Sequence, residues 1–214
     1  QLDLLDVGSS NGIIDNHLAD FFGRVVGIDI DEPAMAHARE TFRREHLNFQ
    51  AGDAMQMTFP DNSFDVVVCT QIYEHVPDAS RMFSEIFRVL KPGGFCYFSG
   101  NNRFMFMEPH YRLPLLSLLP RPLAHQYVRL AGKGSHYHEL HFSYWTLKRL
   151  CQKFTIVDYS PKVISNPKAF GVDYMLKKGS TKWWVARFLA NYAQWASPMM
   201  WILQKPAPVQ ASAD

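Results

Sequence analysis

The chain has 214 residues, 47% of them hydrophobic, so it is long enough to bury one sizeable core and needs no second domain. Its 22 Lys and Arg residues against 20 Asp and Glu give a formal charge of +2, which predicts no strong attraction to nucleic acid. Three cysteines without C-x-x-C spacing argue against a structural zinc site or a disulfide framework and suit a reducing compartment. No secretion signal opens the chain, and we expect a cytoplasmic protein.

Short apolar runs alternate with helical stretches along the chain, a pattern that predicts parallel strands joined by crossover helices. We predict strands near residues 2–7, 25–29, 47–51, 64–69, 94–99, 154–159 and 200–205. Helices are predicted near residues 11–22, 33–44 and 79–90, with a further helix starting near Ser143. The fold class is therefore α/β.

The most informative segment is the first strand and the loop that follows it. A backbone that leaves a buried strand and turns sharply toward a ligand needs residues without a Cβ, and Gly8 and Gly12 meet that need. The second strand ends in Asp29, where a neighbouring parallel strand would present a carboxylate to a ribose diol. A dinucleotide fingerprint would place glycine where the chain has Ser10 and Ile13, which weakens a nicotinamide or flavin interpretation.

An ordered set of motifs resembles the class I S-adenosylmethionine-dependent methyltransferases, whose first motif reads roughly D-x-G-x-G-x-G. The set covers about residues 2 to 100, with Ser10 where the family often has glycine. After Asp29 it continues with Ala51-Gly52-Asp53-Ala54, Phe64-Asp65-Val66-Val67-Val68-Cys69-Thr70, Glu74-His75-Val76 and Leu90-Lys91-Pro92-Gly93-Gly94.

The resemblance implies a doubly wound, Rossmann-like sheet of seven mostly parallel strands with an antiparallel last strand, and S-adenosylmethionine as cofactor. In that family the Asp53 position faces the adenine amino group, Ala54 offers its backbone N–H to the ring, and Lys-Pro-Gly-Gly makes the turn into the fifth strand. The cofactor-binding residues expected on this basis are Asp6, Gly8, Ser9, Gly12, Asp29, Ile30, Asp53, Ala54 and Gln71.

Each of these residues also has a purely structural interpretation. Gly8 and Gly12 could mark an ordinary turn from strand to helix. Asp29 could cap the helix that begins near Pro33, and Asp53 could only initiate a turn. The ordered set, and no single residue, favours the functional interpretation.

The acceptor of a methyl group should approach from the loops after the fourth and fifth strands, because ligands of open parallel sheets lie beyond the carboxyl ends of the strands. His75 and His110 are the best candidate bases there, although either could instead hold a backbone carbonyl. The substrate-binding residues predicted are Tyr73, Glu108, Tyr111, His138 and His141.

The segment Ser135-His136-Tyr137-His138-Glu139-Leu140-His141 raises a metal hypothesis, because imidazoles and carboxylates are usual ligands of divalent ions. The histidines and the glutamate of this segment are spaced by both two and three residues, so neither a strand nor a helix would bring all of them to one face. We therefore predict no metal and expect polar contacts to the substrate, or a pair of His138 and His141 that anchors a lid.

Two insertions, at about residues 103–142 and 165–198, interrupt the single domain predicted for residues 1–205, and residues 206–214 are predicted to be a loose tail. The first carries the apolar run 111–120, and the second carries Trp183, Trp184, Phe188, Tyr192 and Trp195 beside basic residues. Neither contains an uninterrupted apolar run of about 18 residues, so we expect neither to span a bilayer. A lid, a dimer contact and a peripheral contact with the inner face of the membrane are the alternatives.

The segments Glu-Pro-His-Tyr and Tyr-His-Glu-Leu-His also resemble methyltransferases encoded with bacterial polysaccharide or glycolipid assembly enzymes, which implies a saccharide hydroxyl as acceptor. A quinone or another prenylated small molecule is the rival acceptor, and a SAM-binding partner or sensor without catalysis is the rival class of function. An Asn/Asp-Pro-Pro-Tyr type motif, seen in many nucleic-acid methyltransferases, does not follow the fourth strand. The family also places a helix ahead of the first strand, and we expect this chain to be a fragment that lacks it.

Overall fold

The computed structural model describes residues 1–208. Nine strands are found in this part of the chain: β1 (Asp3–Val7), β2 (Arg24–Asp29), β3 (Leu47–Ala51), β4 (Phe64–Thr70), β5 (Leu90–Gly100), β6 (Met107–Glu108), β7 (Leu113–Pro114), β8 (Thr155–Asp158) and β9 (Met199–Gln204). The same residues form seven α-helices: α1 (Ile13–Leu18), α2 (Glu32–Thr41), α3 (Ala79–Val89), α4 (Arg121–Leu130), α5 (Tyr144–Leu150), α6 (Ser160–Ser165) and α7 (Thr181–Tyr192).

Seven of the strands form one sheet in the order β3-β2-β1-β4-β5-β9-β8, mostly parallel with an antiparallel last strand. Strand β1 pairs in parallel with β2 on one side and with β4 on the other, so the strand order reverses direction between β1 and β4. Ligands of doubly wound sheets bind at such a reversal point. The predicted fold class is confirmed.

Two compact units divide the chain. Of the described residues, the first comprises 1–98, 150–157 and 201–208, and the second comprises 99–149 and 158–200. Both predicted insertions, 103–142 and 165–198, fall within the second unit. The predicted tail, 206–214, lies outside the described residues from 209 onward.

Each unit has its own apolar core. In the first, side chains from β1, β2 and β3 pack against α2, with Leu4, Val25 and Met35 at most 1% exposed. In the second, Leu116, Ala124 and Val128 are fully buried around the start and the middle of α4. All three cysteines are buried thiols without a disulfide.

Two element boundaries differ from the sequence prediction by four residues, more than the others do. Helix α1 ends at Leu18, because the next residues form tight turns in which the N–H groups of Asp20 and Phe21 donate to the carbonyls of His17 and Leu18. Strand β5 begins at Leu90, four residues early, and includes the glycines expected to form a turn. The N–H of Gly93 and the carbonyl of Gly94 are both paired with the backbone of Lys205, which keeps this segment in the sheet.

Candidate functional site

A cavity of about 280 Å³ lies in the first unit, at the carboxyl ends of the parallel strands. Its volume is near the lower end of the roughly 300–1,000 Å³ typical of small-molecule sites. Four chain segments line it, each following a different strand from β1 to β4: Val7 and Gly8; Ile28, Asp29 and Ile30; Gly52, Asp53, Ala54 and Met55; and Ile72, His75, Val76 and Pro77.

Gly8 brings the backbone close to this cavity. Its φ of +85° is a conformation that residues with a Cβ rarely adopt, and a Cβ built there would lie 2.0 Å from Cδ1 of Ile72. The N–H groups of Gly8 and Ser9 both donate to the carbonyl of Ile28, at 2.8 and 3.0 Å. The positive φ therefore favours glycine here, and a Cβ would also displace the side chain of Ile72 at the cavity wall.

Asp29 fastens the loop after β1 to the end of β2. One carboxylate oxygen accepts from the N–H of Ser10 at 2.9 Å, and the other accepts from the N–H of Asp31 at 3.0 Å. Each oxygen of a carboxylate can accept a second hydrogen bond, so Asp29 can also receive two ribose hydroxyls. The helix cap considered for Asp29 is supplied by Asp31, whose side chain accepts from the N–H of Ala34.

Asp53 and Ala54 line the same cavity, one strand further along the sheet. The carboxylate of Asp53 accepts from the N–H of Met55 at 2.8 Å, so the turn that the sequence suggested does form. The structural and the ligand-binding interpretations are compatible, because the turn holds Asp53 at the cavity wall.

Four other residues predicted to bind the cofactor are not among the described residues that line this cavity. Ser9 turns its hydroxyl inward, 3.7 Å from the sulfur of Met35, and Gly12 precedes α1 with a φ of +75°. Gln71 is half-buried at a φ of +57°. Asp6 is 4% exposed. The cavity wall does contain the fifth, Ile30.

Asp6 and Asp15 are two buried carboxyl groups beneath the glycine-containing loop. Burial, followed by the negative charge of Asp15, raises the pKa of Asp6 well above its usual range. Burial also raises the pKa of Asp15 to about 6. Both groups therefore favour the protonated form more than an exposed aspartate does.

Two predicted acceptor-side residues follow β4 and have different surroundings. Tyr73 is fully buried, and its ring lies 5.9 Å from that of Phe98 in the core of the first unit. His75 is exposed at the cavity wall, and its backbone N–H donates to the carbonyl of Ile72. His75 is thus placed to meet a ligand, whereas the ring of Tyr73 packs inward.

A second polar site lies in the second unit and is centred on Glu108, which is completely buried. One carboxylate oxygen lies 2.7 Å from Nδ1 of His110 and 3.3 Å from Nε2 of His141, and the other accepts from the N–H of Tyr111 at 2.7 Å. Burial alone would raise the pKa of Glu108. The hydrogen bonds from His141, the Tyr111 N–H and His110 outweigh burial and lower this pKa to about 2.

Glu108 is therefore a carboxylate that fixes the orientation of the His110 ring. When Nδ1 of a neutral imidazole donates to a carboxylate, the unprotonated nitrogen is Nε2, which can accept a proton. The donor atoms of Glu108, His110 and His141 also lie within 4.8 Å of one another, a spacing that a divalent cation could bridge. Direct hydrogen bonds account for the same geometry.

The structure separates the histidines of the segment 135–141. His141 is buried beside Glu108, whereas His138 is exposed, with its ring 6.1 Å from that of His136. The guanidinium of Arg121 donates to the carbonyls of Tyr137, His138 and Glu139, which holds the segment against the start of α4. These different surroundings do not support the alternative in which His138 and His141 together anchor a lid.

Sequence reasoning missed Arg121 and the apolar part of the cavity wall, formed by Met55, Ile72 and Val76. Apolar residues after a strand look like core residues in a sequence. The signal that could have found them is position, since Met55 follows Asp53-Ala54 directly and Ile72 and Val76 flank Glu74-His75.

The sequence and the fold were compared with those of known proteins, and both match methyltransferases. Residues 5–98 match the sequence model of a family described as a methyltransferase domain. A probable S-adenosylmethionine-dependent methyltransferase of Mycolicibacterium smegmatis is 39% identical over 104 residues, 49% of this chain and 40% of that protein. A ubiquinone biosynthesis O-methyltransferase of Hydrogenovibrio crunogenus is 34% identical over 142 residues, 64% of this chain and 54% of that protein.

The chain spans about half the length of the curated relatives it matches, with 40% and 54% of these two covered. Among solved structures, an S-adenosylmethionine-dependent methyltransferase from Mesorhizobium loti aligns with a TM-score of 0.61 and 19% identity, over 95% of this chain and 89% of that one. At this identity the likeness supports the fold.

Proposed function

We propose that this chain is an S-adenosylmethionine-dependent methyltransferase that acts on a hydroxyl group of a small molecule. The observation that carries the proposal is the cavity at the reversal point of the sheet, with Asp29 and Asp53 at its wall on the ends of neighbouring parallel strands. The match of residues 5–98 to the methyltransferase domain family supports the same assignment.

The residues at this cavity suit the nucleoside part of the cofactor. Asp29 would accept the two ribose hydroxyls, with its carboxylate already oriented by two backbone N–H groups. Asp53 would accept from the adenine amino group, and Ala54 would offer its backbone N–H to the ring. Met55, Ile72 and Val76 supply an apolar wall for the flat base.

S-adenosylmethionine supplies a methyl group on a positively charged sulfur, which leaves as the neutral thioether. The protein has to align the acceptor oxygen in line with the methyl carbon and to receive the hydroxyl proton as the new carbon–oxygen bond forms. His75 is the first candidate for that proton, because it stands at the wall of the cavity.

His110 is the second candidate base. The buried carboxylate of Glu108 would hold Nδ1 protonated and leave Nε2 to take the proton, and it would stabilise the imidazolium that results. Glu108 is then a positioning residue. Tyr111 and His138 remain proposed acceptor contacts, whereas the burial of the Tyr73 and His141 side chains argues against direct contacts from these two.

A phenolic hydroxyl on a prenylated ring is the first acceptor class to test, because a relative at 34% identity is a ubiquinone biosynthesis O-methyltransferase. A saccharide hydroxyl, free or lipid-linked, is the second. It is favoured by the contacts that Glu108 makes with His110 and His141, since these contacts join the two segments that resemble glycan methyltransferases.

The test begins with titration calorimetry of S-adenosylmethionine and its demethylated product into the chain. Methyl transfer is then measured with the two acceptor classes, using the wild type, His75→Ala and His110→Ala. We expect both ligands to bind the wild type and both variants, and turnover to fall by about 100-fold or more in the variant that lacks the base.

Each outcome has a distinct meaning. Absence of binding by the wild type would overturn the cofactor assignment. Binding without turnover on either acceptor class would favour the SAM-binding partner or sensor. Full turnover by both histidine variants would remove His75 and His110 from the mechanism and leave the methyltransferase assignment intact.

A further inference from the structure

Helix α7 presents a row of large apolar side chains to solvent. Trp184, Phe188 and Tyr192 are four residues apart, so they lie along one face of the helix, and they are 59%, 60% and 80% exposed. The opposite face is anchored by Trp183, which is buried and donates its indole N–H to the carbonyl of Ile164 at 2.7 Å. The helix is thus fixed with its apolar row outward.

The loop before α7 extends this row. Tyr174 and Met175 are 83% and 57% exposed, and Nζ of Lys182 on α7 donates to the carbonyl of Met175 at 3.1 Å. This hydrogen bond ties the loop to the first turn of the helix. The aromatic face, as we name it, consists of Tyr174, Met175, Trp184, Val185, Phe188 and Tyr192. Monomeric soluble proteins rarely expose an apolar patch of this kind without a binding function.

The segment that carries the aromatic face is also rich in positive charge. Residues 160–198 contain six basic residues and one acid, Asp173, whereas the rest of the chain contains 16 basic residues and 19 acids. The basic residues are Lys162, Lys168, Lys177, Lys178, Lys182 and Arg187, all of them exposed. The excess of positive charge in this chain is therefore concentrated in the segment that carries the exposed aromatic residues.

We propose that the aromatic face binds the surface of a membrane that contains anionic lipid. Trp and Tyr are the side chains that favour the interface between water and hydrocarbon, and lysines beside them can pair with anionic headgroups. None of the helices between residues 1 and 208 is long and apolar enough to cross a bilayer, so the helix lies on the surface.

A second copy of the chain fits this surface less well. A two-fold contact through the aromatic face would bring its lysines and Arg187 against the same cations of the partner, with only Asp173 on each side to compensate. An anionic lipid surface matches the charge and accepts the aromatic side chains at the same time. The proposal goes beyond methyl transfer and does not depend on it.

The experiment is cosedimentation of the chain with vesicles of mixed phosphatidylglycerol and phosphatidylcholine, compared with vesicles of phosphatidylcholine alone. The wild type should bind the mixed vesicles and be released by added salt. Trp184→Ser combined with Phe188→Ser should weaken binding on the order of tenfold, and Lys177→Glu combined with Lys178→Glu should weaken it similarly.

Matched controls are Phe21→Ser, an apolar residue 70% exposed in the first unit, and Arg43→Glu, an exposed cation of that unit. Both should bind vesicles as the wild type does. Circular dichroism of each variant reports whether it is folded, and S-adenosylmethionine affinity is measured separately, so the two proposals fail independently.

Three results would overturn the membrane proposal. The first is equal binding of the wild type to the two vesicle types or to neither. The second is a loss of binding in the control variants that equals the loss in the variants of the aromatic face. The third is a dimer, seen by light scattering, that Trp184→Ser with Phe188→Ser dissociates, since the face would then be an interface between copies.

Discussion

The two polar sites of this protein are built in opposite ways. The cavity of the first unit depends on backbone groups at strand ends, and its main carboxylate, Asp29, is held by the N–H groups of Ser10 and Asp31. The site of the second unit depends on side chains, because Glu108 is held by His110 and by His141, 33 positions further along the chain. A site built from backbone groups can be predicted from short sequence motifs. A site built by side chains from distant segments cannot, because the sequence does not show which segments meet.

The largest expected effect is at Gly8, where the backbone itself forms the cavity. Gly8→Ala adds a Cβ 2.0 Å from Cδ1 of Ile72, while Gly93→Ala meets no atom within 4 Å at a nearly identical φ. Both variants should lose about 1–2 kcal/mol of stability from the positive φ. Only Gly8→Ala should also lower S-adenosylmethionine affinity, by roughly 100-fold or about 2.7 kcal/mol, measured by calorimetry. Equal affinities in the two variants would contradict this account.

Asp29→Ala removes a charged acceptor that serves both the loop and the proposed ribose. Hydrogen bonds to charged groups contribute about 1.5–3 kcal/mol, so S-adenosylmethionine affinity should fall by roughly 10- to 100-fold. The control is Asp31→Ala, which removes the cap of α2 and should cost about 1 kcal/mol of stability. The interpretation is wrong if Asp31→Ala weakens cofactor binding as much as Asp29→Ala does.

Glu108→Gln tests the site built by side chains, with Glu139→Gln as the control in the segment that Arg121 holds. If Glu108 positions His110, turnover should fall about tenfold and the pH profile should change, while S-adenosylmethionine affinity stays as in the wild type. An unchanged pH profile with a lowered cofactor affinity would indicate a merely structural role.

The same variant has a stability signature that depends on pH. The folded pKa of Glu108, about 2, lies below its ordinary value of 4.5. Its contribution, on the order of 3 kcal/mol, is therefore present above pH 4.5 and lost as the pH falls toward 2. Urea unfolding at several pH values should show wild type and Glu108→Gln converging in acid. A constant difference in free energy of unfolding would rule out this origin.

The smallest effect is expected at Asp15, where stability changes with pH in the opposite direction to that at Glu108. Its folded pKa of about 6 lies above its ordinary value of 3.8, so this group makes the folded state less stable as the pH rises from about 4 to 6. Asp15→Asn should stabilise the protein at pH 7 and show little gain at pH 4. Asp31→Asn, an exposed cap that asparagine also fills, should show no such gain in thermal unfolding.

Much of the first unit could be predicted because its signals are local. The seven strands of the large sheet were found within a few residues, since parallel strands buried on both faces read as apolar runs. Gly8, Asp29, Ile30, Asp53, Ala54 and His75, predicted from the motifs, all line the cavity. The backbone pairing of Gly93 and Gly94 was not foreseen, because its partner, Lys205, is more than 100 residues away.

In the second unit the sequence identified residues with suitable chemistry, but it did not show which of them hydrogen-bond to one another. Glu108, His110 and His141 were singled out for their chemistry, but their contacts with one another were not predicted, and Arg121 was not noticed. Arg121 organises residues 137–139 through their carbonyls, which leave no trace in a sequence. The sequence also left open whether the aromatic residues of α7 are buried or exposed, because an apolar helix has the same residue pattern in both cases.

The sequence by itself determined the sheet, the glycine turn at the end of β1 and the carboxylate at the end of β2, because these depend on backbone conformation and on the alternation of apolar runs. The tertiary structure decided that Asp31 and not Asp29 caps α2, and that His141 is the distant histidine that contacts Glu108. It also decided which face of α7 is exposed to water. These outcomes depend on contacts between residues far apart in the chain, whose free energies arise only when the chain is folded.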